Sequence, residues 1–358
     1  MNENKKILFI SNQLSVRPEG GRKNLSILSQ EILKKIFKKN FFFYELKKSK
    51  TNFLKKIIDF LKGNIDDIDD QKILNLKELL LKKKITHLYL DGSNLGKLSR
   101  KLNNKKIKVI TFCHNVETNF FLKKLKSGFS VKNFLLLIFN YFAELQTNYF
   151  SDYLIFLNKR DKKLMFQYFS KSKHFIVPLS VKDNFKKSKN SINKSKYILF
   201  VGSNFFGNSS GLEWYINKIA NKINLKTVIV GKNLLRKKFK KNPKISFLGY
   251  VKHLNNIYKN ALFIVAPIFE GSGMKTKVAE SLMYGKHIVG LNEAFVGYEK
   301  HEKIIGKKCK SEEQFIEAIN KFSKKNFNSF ENKLRKIYIE NYSEISMKKA
   351  YLKIFKII

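Results

Sequence analysis

The chain has 358 residues, with 72 Lys and Arg against 28 Asp and Glu, a formal net charge of +44. Hydrophobic residues make up 43% and charged residues 28%, which suits two or three packed domains and excludes a disordered chain, a collagen-like repeat and a disulfide miniprotein. Only Arg17, Arg22, Arg100, Arg160, Arg236 and Arg335 are arginines. Arg is the fork that reads guanine edges and grips phosphate in pairs. A Lys surplus beside abundant Asn, Ile and Phe fits AT-rich codon bias better than base readout, so nucleic acid is not the expected partner. Anionic ligands and anionic membranes remain compatible with the charge.

In chain order, the apolar run Ile7–Ser11 reads as a strand and Asn24–Lys38 as an amphipathic helix. Phe41–Leu46 is a second strand. Leu74–Lys84 reads as a helix, and Thr86–Leu90 and Lys106–Phe112 as strands, the latter ending at Cys113-His114-Asn115. Asp152–Leu157 and His174–Val177 complete the set. This βαβ alternation predicts a doubly wound parallel sheet. Residues 181–196 are polar and weakly periodic and read as a linker. The pattern then restarts with strands at Tyr197–Val201, Lys226–Val230, Ile245–Leu248, Leu262–Ala266 and His287–Gly290. Helices are expected at Gly211–Asn221, Leu254–Asn260, Lys275–Tyr284, Ser311–Ser323 and Phe330–Ile358. The expected domains are 1–180, 197–340, and a C-terminal helix over 341–358 that crosses back to the first domain.

Cys113 and Cys309 show no metal-ligand spacing and fit a reducing compartment. Asp67-Ile-Asp69 matches an Asp-x-Asp pattern, but its place between helices favours a solvated loop or helix cap over a metal site. The apolar stretch near Met1 is shorter than a signal sequence, and the longest nearly apolar run, Phe134–Ala143, falls short of the ~20 residues that span a bilayer. The expected location is the cytoplasm, with a peripheral place on the inner face of the membrane.

The segment Ala266-Pro-Ile-Phe-Glu-Gly-Ser-Gly-Met-Lys-Thr-Lys-Val-Ala-Glu-Ser-Leu-Met-Tyr-Gly285 carries the chemistry. A buried strand runs into Pro267, Gly271-Ser272-Gly273 permits a tight turn, and a helix follows that stops at Gly285. Free N–H groups and the positive end of that helix make a cradle for phosphate or diphosphate. Lys275 and Lys277 add charge there. Glu280, about one and a half turns in, can accept hydrogen bonds from two ribose hydroxyls. The plain alternative is an ordinary strand–turn–helix with Glu280 paired to Lys277.

This segment resembles the donor-binding signature of the GT-B glycosyltransferases of the family-four, or group 1, type. Phe200-Val-Gly-Ser203 with Trp214, Phe247-Leu-Gly-Tyr-Val251 with Leu254 and Tyr258, Cys113-His-Asn-Val-Glu117, and Asn12 through Gly20-Gly21-Arg22 resemble further landmarks in the same order. The resemblance implies two Rossmann-like α/β domains facing a central cleft. It also implies transfer of a sugar from a nucleotide-diphosphate donor to a saccharide or lipid-linked acceptor. Retention at the anomeric carbon is implied too, with no metal and no other cofactor. It implies donor binding by Gly20, Gly21, Gly271, Ser272, Gly273, Met274, Lys277 and Glu280, and catalytic parts for His114 and Lys275. Ser272 stands eight residues before Glu280, where the family often has a second glutamate. Glu270, ten before, is the substitute candidate. No early C-domain Arg and Lys pair grips the diphosphate, so Lys275 and Lys277 are the best replacements and Lys232 and Lys252 weaker ones.

On the N-terminal side, Gly20-Gly21 is either a sugar- or phosphate-facing loop or a flexible loop with a helix cap, and Arg22 is a further phosphate or acceptor candidate. His114 is either a substrate contact and proton acceptor or a local structural contact. Asn115 and Glu117 are weaker site candidates, with plain readings as a helix cap and as a partner of Lys123 or Lys124, and Arg160 is a further site candidate at a cleft edge. Phe120–Phe129 and Phe134–Phe142 mix Lys with apolar residues, as a membrane surface or a core helix would. The leading function is bacterial surface polysaccharide or glycolipid synthesis. The alternatives are a nonenzymatic nucleotide-sugar or polyanion-binding protein and a nucleotide-sugar epimerase on the same fold.

Overall fold

The computed structural model describes residues 4–14, 20–47, 68–170, 172–186, 197–204, 206–232, 234, 242–324 and 330–358. The chain forms two compact units, Met1–Pro178 with Met347–Ile358, and Leu179–Ser346. Each is built on a six-stranded, all-parallel sheet with helices on its faces, the architecture that buries strands on both sides. The fold is α/β, with one doubly wound parallel sheet in each unit.

In the N-terminal unit the strands are β1 (Ile7–Ser11), β2 (Phe41–Glu45), β3 (His87–Leu90), β4 (Lys108–Cys113), β5 (Tyr153–Phe156) and β6 (His174–Ile176), in the order β2-β1-β3-β4-β5-β6. Helices α1 (Gly21–Phe37), α2 (Asp70–Lys83), α3 (Gly96–Leu102), α4 (Glu117–Lys126), α5 (Val131–Phe150) and α6 (Lys159–Tyr168) connect them. The order reverses between β1 and β3, and ligands of open α/β sheets bind at the carboxyl ends beside such a reversal. Every residue of β1 and β3 is buried, so these two strands form the rigid centre. α1 begins at Gly21, three residues before the expected start, with Gly20 as its extended N-cap. Asp69 caps α2 by accepting from the Lys72 N–H at 2.8 Å, while Asp66 and Asp67 lie outside the described residues.

The C-terminal unit contains β7 (Tyr197–Val201), β8 (Lys226–Val230), β9 (Ile245–Gly249), β10 (Ala261–Ala266), β11 (Ile288–Leu291) and β12 (Gly306–Cys309), in the order β12-β11-β10-β7-β8-β9. Its helices are α7 (Phe206–Trp214), α8 (Asn255–Asn260), α9 (Thr276–Met283), α10 (Glu312–Lys324) and α11 (Asn332–Asn341). The reversal here lies between β7 and β10. α7 does not run on to Asn221 as one helix. It passes into a π-helical stretch at Tyr215–Ile219, where Tyr215 reaches across to donate or accept at Thr227 Oγ1, 2.8 Å away. The expected helix Phe330–Ile358 is two helices, α11 and α12 (Glu344–Ile357), broken at Tyr342–Ser343, where Val181 pairs with Ser343. Residues Met347–Ile358, which take in most of α12, pack within the N-terminal unit. Tyr351 lies there against Tyr89 (hydroxyls 2.7 Å apart) and Ser29 (2.6 Å), and Lys5 Nζ donates to the Phe355 carbonyl.

Candidate active site

The turn after β10 sits at the reversal of the second sheet. Gly273 has φ +60, a left-handed conformation that a side chain resists, and it brings the backbone round to α9. Lys275 is the N-cap of α9, and no side chain caps the helix there. The N–H groups of its first turn are therefore not taken by a cap. The loop is braced from behind. Tyr298 donates to the Lys275 carbonyl at 2.9 Å. Met274 is buried against Gly297, whose φ of +85 leaves no room for a Cβ beside the thioether. Met274 is thus an anchor of the loop, and its Sδ also accepts from the Leu179 N–H.

The two lysines differ. Lys275 Nζ donates to Glu293 at 2.8 Å and to the Gly273 carbonyl at 2.9 Å, closing the turn on itself. Lys277 is 7% exposed and has no carboxylate at its tip; Nζ donates to Asn208 Oδ1 at 2.9 Å and lies 4.5 Å above the Phe200 ring. Burial, reinforced by Lys275 and opposed by Glu280, pushes the Lys277 amine down to about 7. A near-neutral amine in a dry pocket regains its proton when an anion arrives.

Glu280 does not pair with Lys277. Its Oε2 accepts from the Tyr258 hydroxyl at 2.8 Å, and the Tyr258 ring stacks on Tyr284 at 4.8 Å and 9°. Burial raises the Glu280 carboxyl, although Tyr258 and Lys277 pull the other way. As a residue Glu280 is half-buried. Glu270 is exposed on the loop, and Lys232 and Lys252 are exposed beyond β8 and β9. Gly271 sits against the Lys275 side chain, where a Cβ would stand 3.0 Å from Cε. The turn therefore gathers Gly271, Ser272, Gly273, Lys275, Lys277 and Glu280 on one strand–turn–helix. Asn208, Tyr258 and Glu293 support them from other elements, and none of these was singled out from the sequence for that part.

In the N-terminal unit, Gly20 caps α1 with no side-chain hydrogen bond, so the start of this 17-residue helix is open. Arg22 is committed locally: Nη1 donates to Glu117 at 2.7 Å and Nη2 to Asn94 at 3.0 Å. Glu117 therefore pairs with Arg22. The N-cap of α4 is Val116, not Asn115. The capping carboxylate comes from a distant helix, since Glu144 of α5 accepts from the Glu117 and Thr118 N–H groups at 2.7 and 3.0 Å and from Ser93 Oγ at 2.8 Å. Asn158 caps α6 by accepting from the Asp161 N–H at 2.8 Å, and Arg160 Nε reaches Asp161 at 3.4 Å. That accounts for this segment structurally.

His114, at the end of β4, is 6% exposed. Its Nε2 lies 2.7 Å from Asp91 Oδ1, and Ser11 Oγ donates to Asp91 Oδ2 at 2.6 Å. Ser11, Asp91 and His114 thus stand in a row at the carboxyl ends of β1, β3 and β4. Among the described residues no three His, Cys, Asp or Glu side chains converge as a metal site would require.

Residues 195–325 match the sequence model of the family described as Glycosyl transferases group 1. No curated protein matches the chain by sequence. Among solved structures, sucrose-phosphate synthase from Thermosynechococcus elongatus is 10% identical with a TM-score of 0.74, covering 98% of both chains. Anabaena Alr3699/HepE, solved with UDP and glucose, is 11% identical with a TM-score of 0.71, covering 99% of this chain and 100% of that one. The lipopolysaccharide outer core galactosyltransferase WaaB is 11% identical with a TM-score of 0.68 and the same coverage. At such identities these structures establish a shared fold.

Proposed function

We propose that this GT-B-fold chain, whose C-terminal unit is a group 1 glycosyltransferase domain, moves a sugar from a nucleoside-diphosphate donor to a hydroxyl. The observation that carries the reading is the uncapped start of α9 beside the buried Lys277, with Glu280 one turn further on. The donor class agrees with the UDP and UDP-glucose bound by HepE.

In the reaction, negative charge gathers on the departing diphosphate. The α9 N–H groups, the Lys277 amine and Lys275 are set to offset that charge, and they do so without reorganising at the moment of bond cleavage. Glu280, oriented by Tyr258, takes the two ribose hydroxyls. This supply of positive charge supports turnover without a divalent ion, which activity in excess EDTA would test. The group 1 resemblance supports retention at the anomeric carbon, to be read from the product by NMR. In the N-terminal unit, His114 is the residue assigned to a substrate hydroxyl.

The acceptor is proposed to be membrane-borne. No described helix is long and apolar enough to cross a bilayer. Yet Val131, Phe134, Leu135, Phe142, Leu145 and Tyr149 lie exposed at helical spacing along α5. Lys123, Lys124, Lys126 and Lys132 flank them. An apolar face rimmed by lysines matches an anionic bilayer. This supports a lipid-linked acceptor and a part in bacterial surface glycolipid or polysaccharide synthesis. Co-sedimentation with anionic but not zwitterionic vesicles, lost in a Phe134→Ser/Phe142→Ser variant, is the expected result.

A thermal-shift screen of nucleoside diphosphates and their sugars tests the main reading, because a specific ligand raises the melting point by mass action. Slow release of nucleoside diphosphate from the sugar donor, lost in Glu280→Ala, is expected of the transferase. Epimerisation of the sugar without acceptor would overturn it, as would binding without turnover under any acceptor tried.

A further inference from the structure

We infer that Lys286 is a positioning residue for the ribose contact of Glu280, holding the helices that carry Glu280 and its partner Tyr258 at the spacing their hydrogen bond requires. The two side chains come from different helices, Tyr258 from α8 and Glu280 from α9, so their 2.8 Å bond depends on how those helices are fastened. Lys286 fastens both, in each case one residue past the side chain concerned. Its backbone N–H donates to the carbonyl of Ser281, next to Glu280, at 2.8 Å. Its Nζ donates to the carbonyl of Lys259, next to Tyr258, at 2.8 Å, and to that of Ala261, where β10 begins, at 2.6 Å.

Lys286 is 1% exposed. A lysine is seldom so deeply buried, because taking its charge out of water is costly unless the amine finds hydrogen-bond acceptors. Burial pushes this amine down to about 7. What the buried head supplies is a closed helix end. α8 has only 6 residues, an N-cap without a side-chain bond and a C-cap, Ala261, that is already extended. A helix that short does not hold itself, and its last carbonyls need donors from elsewhere. The two residues before Lys286 serve the same contact. Tyr284 lays its ring on Tyr258, 4.8 Å away at 9°. Gly285 turns the chain at φ +60, and a Cβ there would stand 2.7 Å from the Glu331 nitrogen. The tripeptide Tyr284-Gly285-Lys286 thus grips Tyr258 by its ring and by the end of its helix.

The consequence falls on one part of the donor. Lys286 holds the chain at the amino end of β10, whereas the Gly271–Gly273 turn leaves from the carboxyl end. That turn has its own brace, Tyr298 at the Lys275 carbonyl. Loss of the Lys286 amine therefore loosens the end of α8 and lets the Tyr258 hydroxyl leave Glu280, while the diphosphate cradle stays in place. The role rests on the reading of Glu280 as the ribose acceptor.

Isothermal titration of the full chain separates the ribose hydroxyls from the rest of the nucleotide. The probes are whichever of UDP, GDP, ADP and CDP binds the wild type most tightly, and its 2′,3′-dideoxy analogue. The wild type is expected to prefer the ribose form by ~10²-fold, the worth of two hydrogen bonds to a charged group. Lys286→Met keeps the backbone N–H and the side-chain length but removes the amine. It is expected to cut that preference ~3–10-fold while binding the dideoxy form within ~2-fold of wild type. Tyr258→Phe is expected to cut it by the same factor, and the double variant no further than either alone, because both act through one bond. Full preference kept in Lys286→Met or in Tyr258→Phe overturns the assignment, as does a double variant whose loss is the product of the two. Equal weakening of both nucleotides in Lys286→Met makes the residue structural and also overturns it, as does failure of both Lys286→Met and Lys286→Gln to fold. A wild type that binds none of the four nucleotides removes the transferase reading and this inference with it. A wild type that binds both forms equally removes the ribose role of Glu280, and with it the part given to Lys286, while donor binding stands.

Discussion

Tyr258 donates its hydroxyl to Glu280 Oε2 at 2.8 Å, from a fully buried ring stacked on Tyr284. The bond fixes which carboxylate oxygen is taken and leaves Oε1 to the ligand. Tyr258→Phe is expected to weaken nucleoside diphosphate binding by ~3–10-fold, the worth of about 1 kcal/mol for one hydrogen bond. Glu280→Ala is expected to abolish measurable binding. Isothermal titration on folded variants checks both, and equal affinity of Glu280→Ala and wild type would remove the ribose role.

Lys277 links binding to protons. Its amine sits at about 7 in the fold against 10.5 ordinarily. Between those values the unfolded chain holds a proton that the folded chain does not, so ligand-free stability rises with pH across that window. Lys286, buried and also held near 7, adds to the same slope. Lys277→Met is expected to lessen the slope, raise the ligand-free melting point near neutral pH and lose the diphosphate response. Titrating UDP in buffers of differing ionisation enthalpy near pH 7 is expected to show proton uptake by the wild type and less by the variant.

Glu144 behaves in the opposite sense. Burial pushes its carboxyl up to about 7 from the usual 4.5, against the pull of the Thr118 and Ser93 donors. The folded chain keeps a proton that the unfolded chain releases, so stability from this group falls as pH rises from about 4.5 to about 7. Glu144→Gln is expected to flatten that slope. It also turns an amide N–H toward the start of α4, costing about 1–3 kcal/mol for the unsatisfied donor. Urea unfolding across that pH range measures both effects.

The C-terminal helix is anchored by hydroxyls. Tyr351 meets Ser29 at 2.6 Å and Tyr89 at 2.7 Å inside the N-terminal unit. Tyr351→Phe leaves two buried hydroxyls with one partner fewer, and a loss of about 1–2 kcal/mol is expected. Hydrogen exchange is expected to rise first in residues 347–358.

Much of this was legible in the chain because parallel strands buried on both faces read as short apolar runs closed by Gly or a polar turn, as at Lys226–Val230 before Gly231. β12 escaped because Gly306-Lys-Lys-Cys309 is an edge strand with two lysines and no apolar run. The early start of α1 was hidden by Gly20 and Gly21, poor helix formers that become a cap and a first turn. The π-helical stretch at Tyr215–Ile219 leaves no mark in hydrophobic spacing. The turn at Gly271–Gly273 was readable because its parts are consecutive. Asp91, Glu144, Asn208 and Glu293 were not, since each meets its partner through folding across a sequence separation of 18 to 69. A buried acid after a strand gives the sequence no sign of which side chain it will hold.

The central claim is that the turn into α9 grips the diphosphate while Glu280 holds the ribose. A crystal structure of the chain soaked with the nucleoside diphosphate that most raises its melting point tests this most directly. The account predicts phosphate oxygens against the first N–H groups of α9 and Lys277 Nζ, with both ribose hydroxyls on Glu280. A nucleotide seated elsewhere, with Glu280 still bonded only to Tyr258, would contradict it.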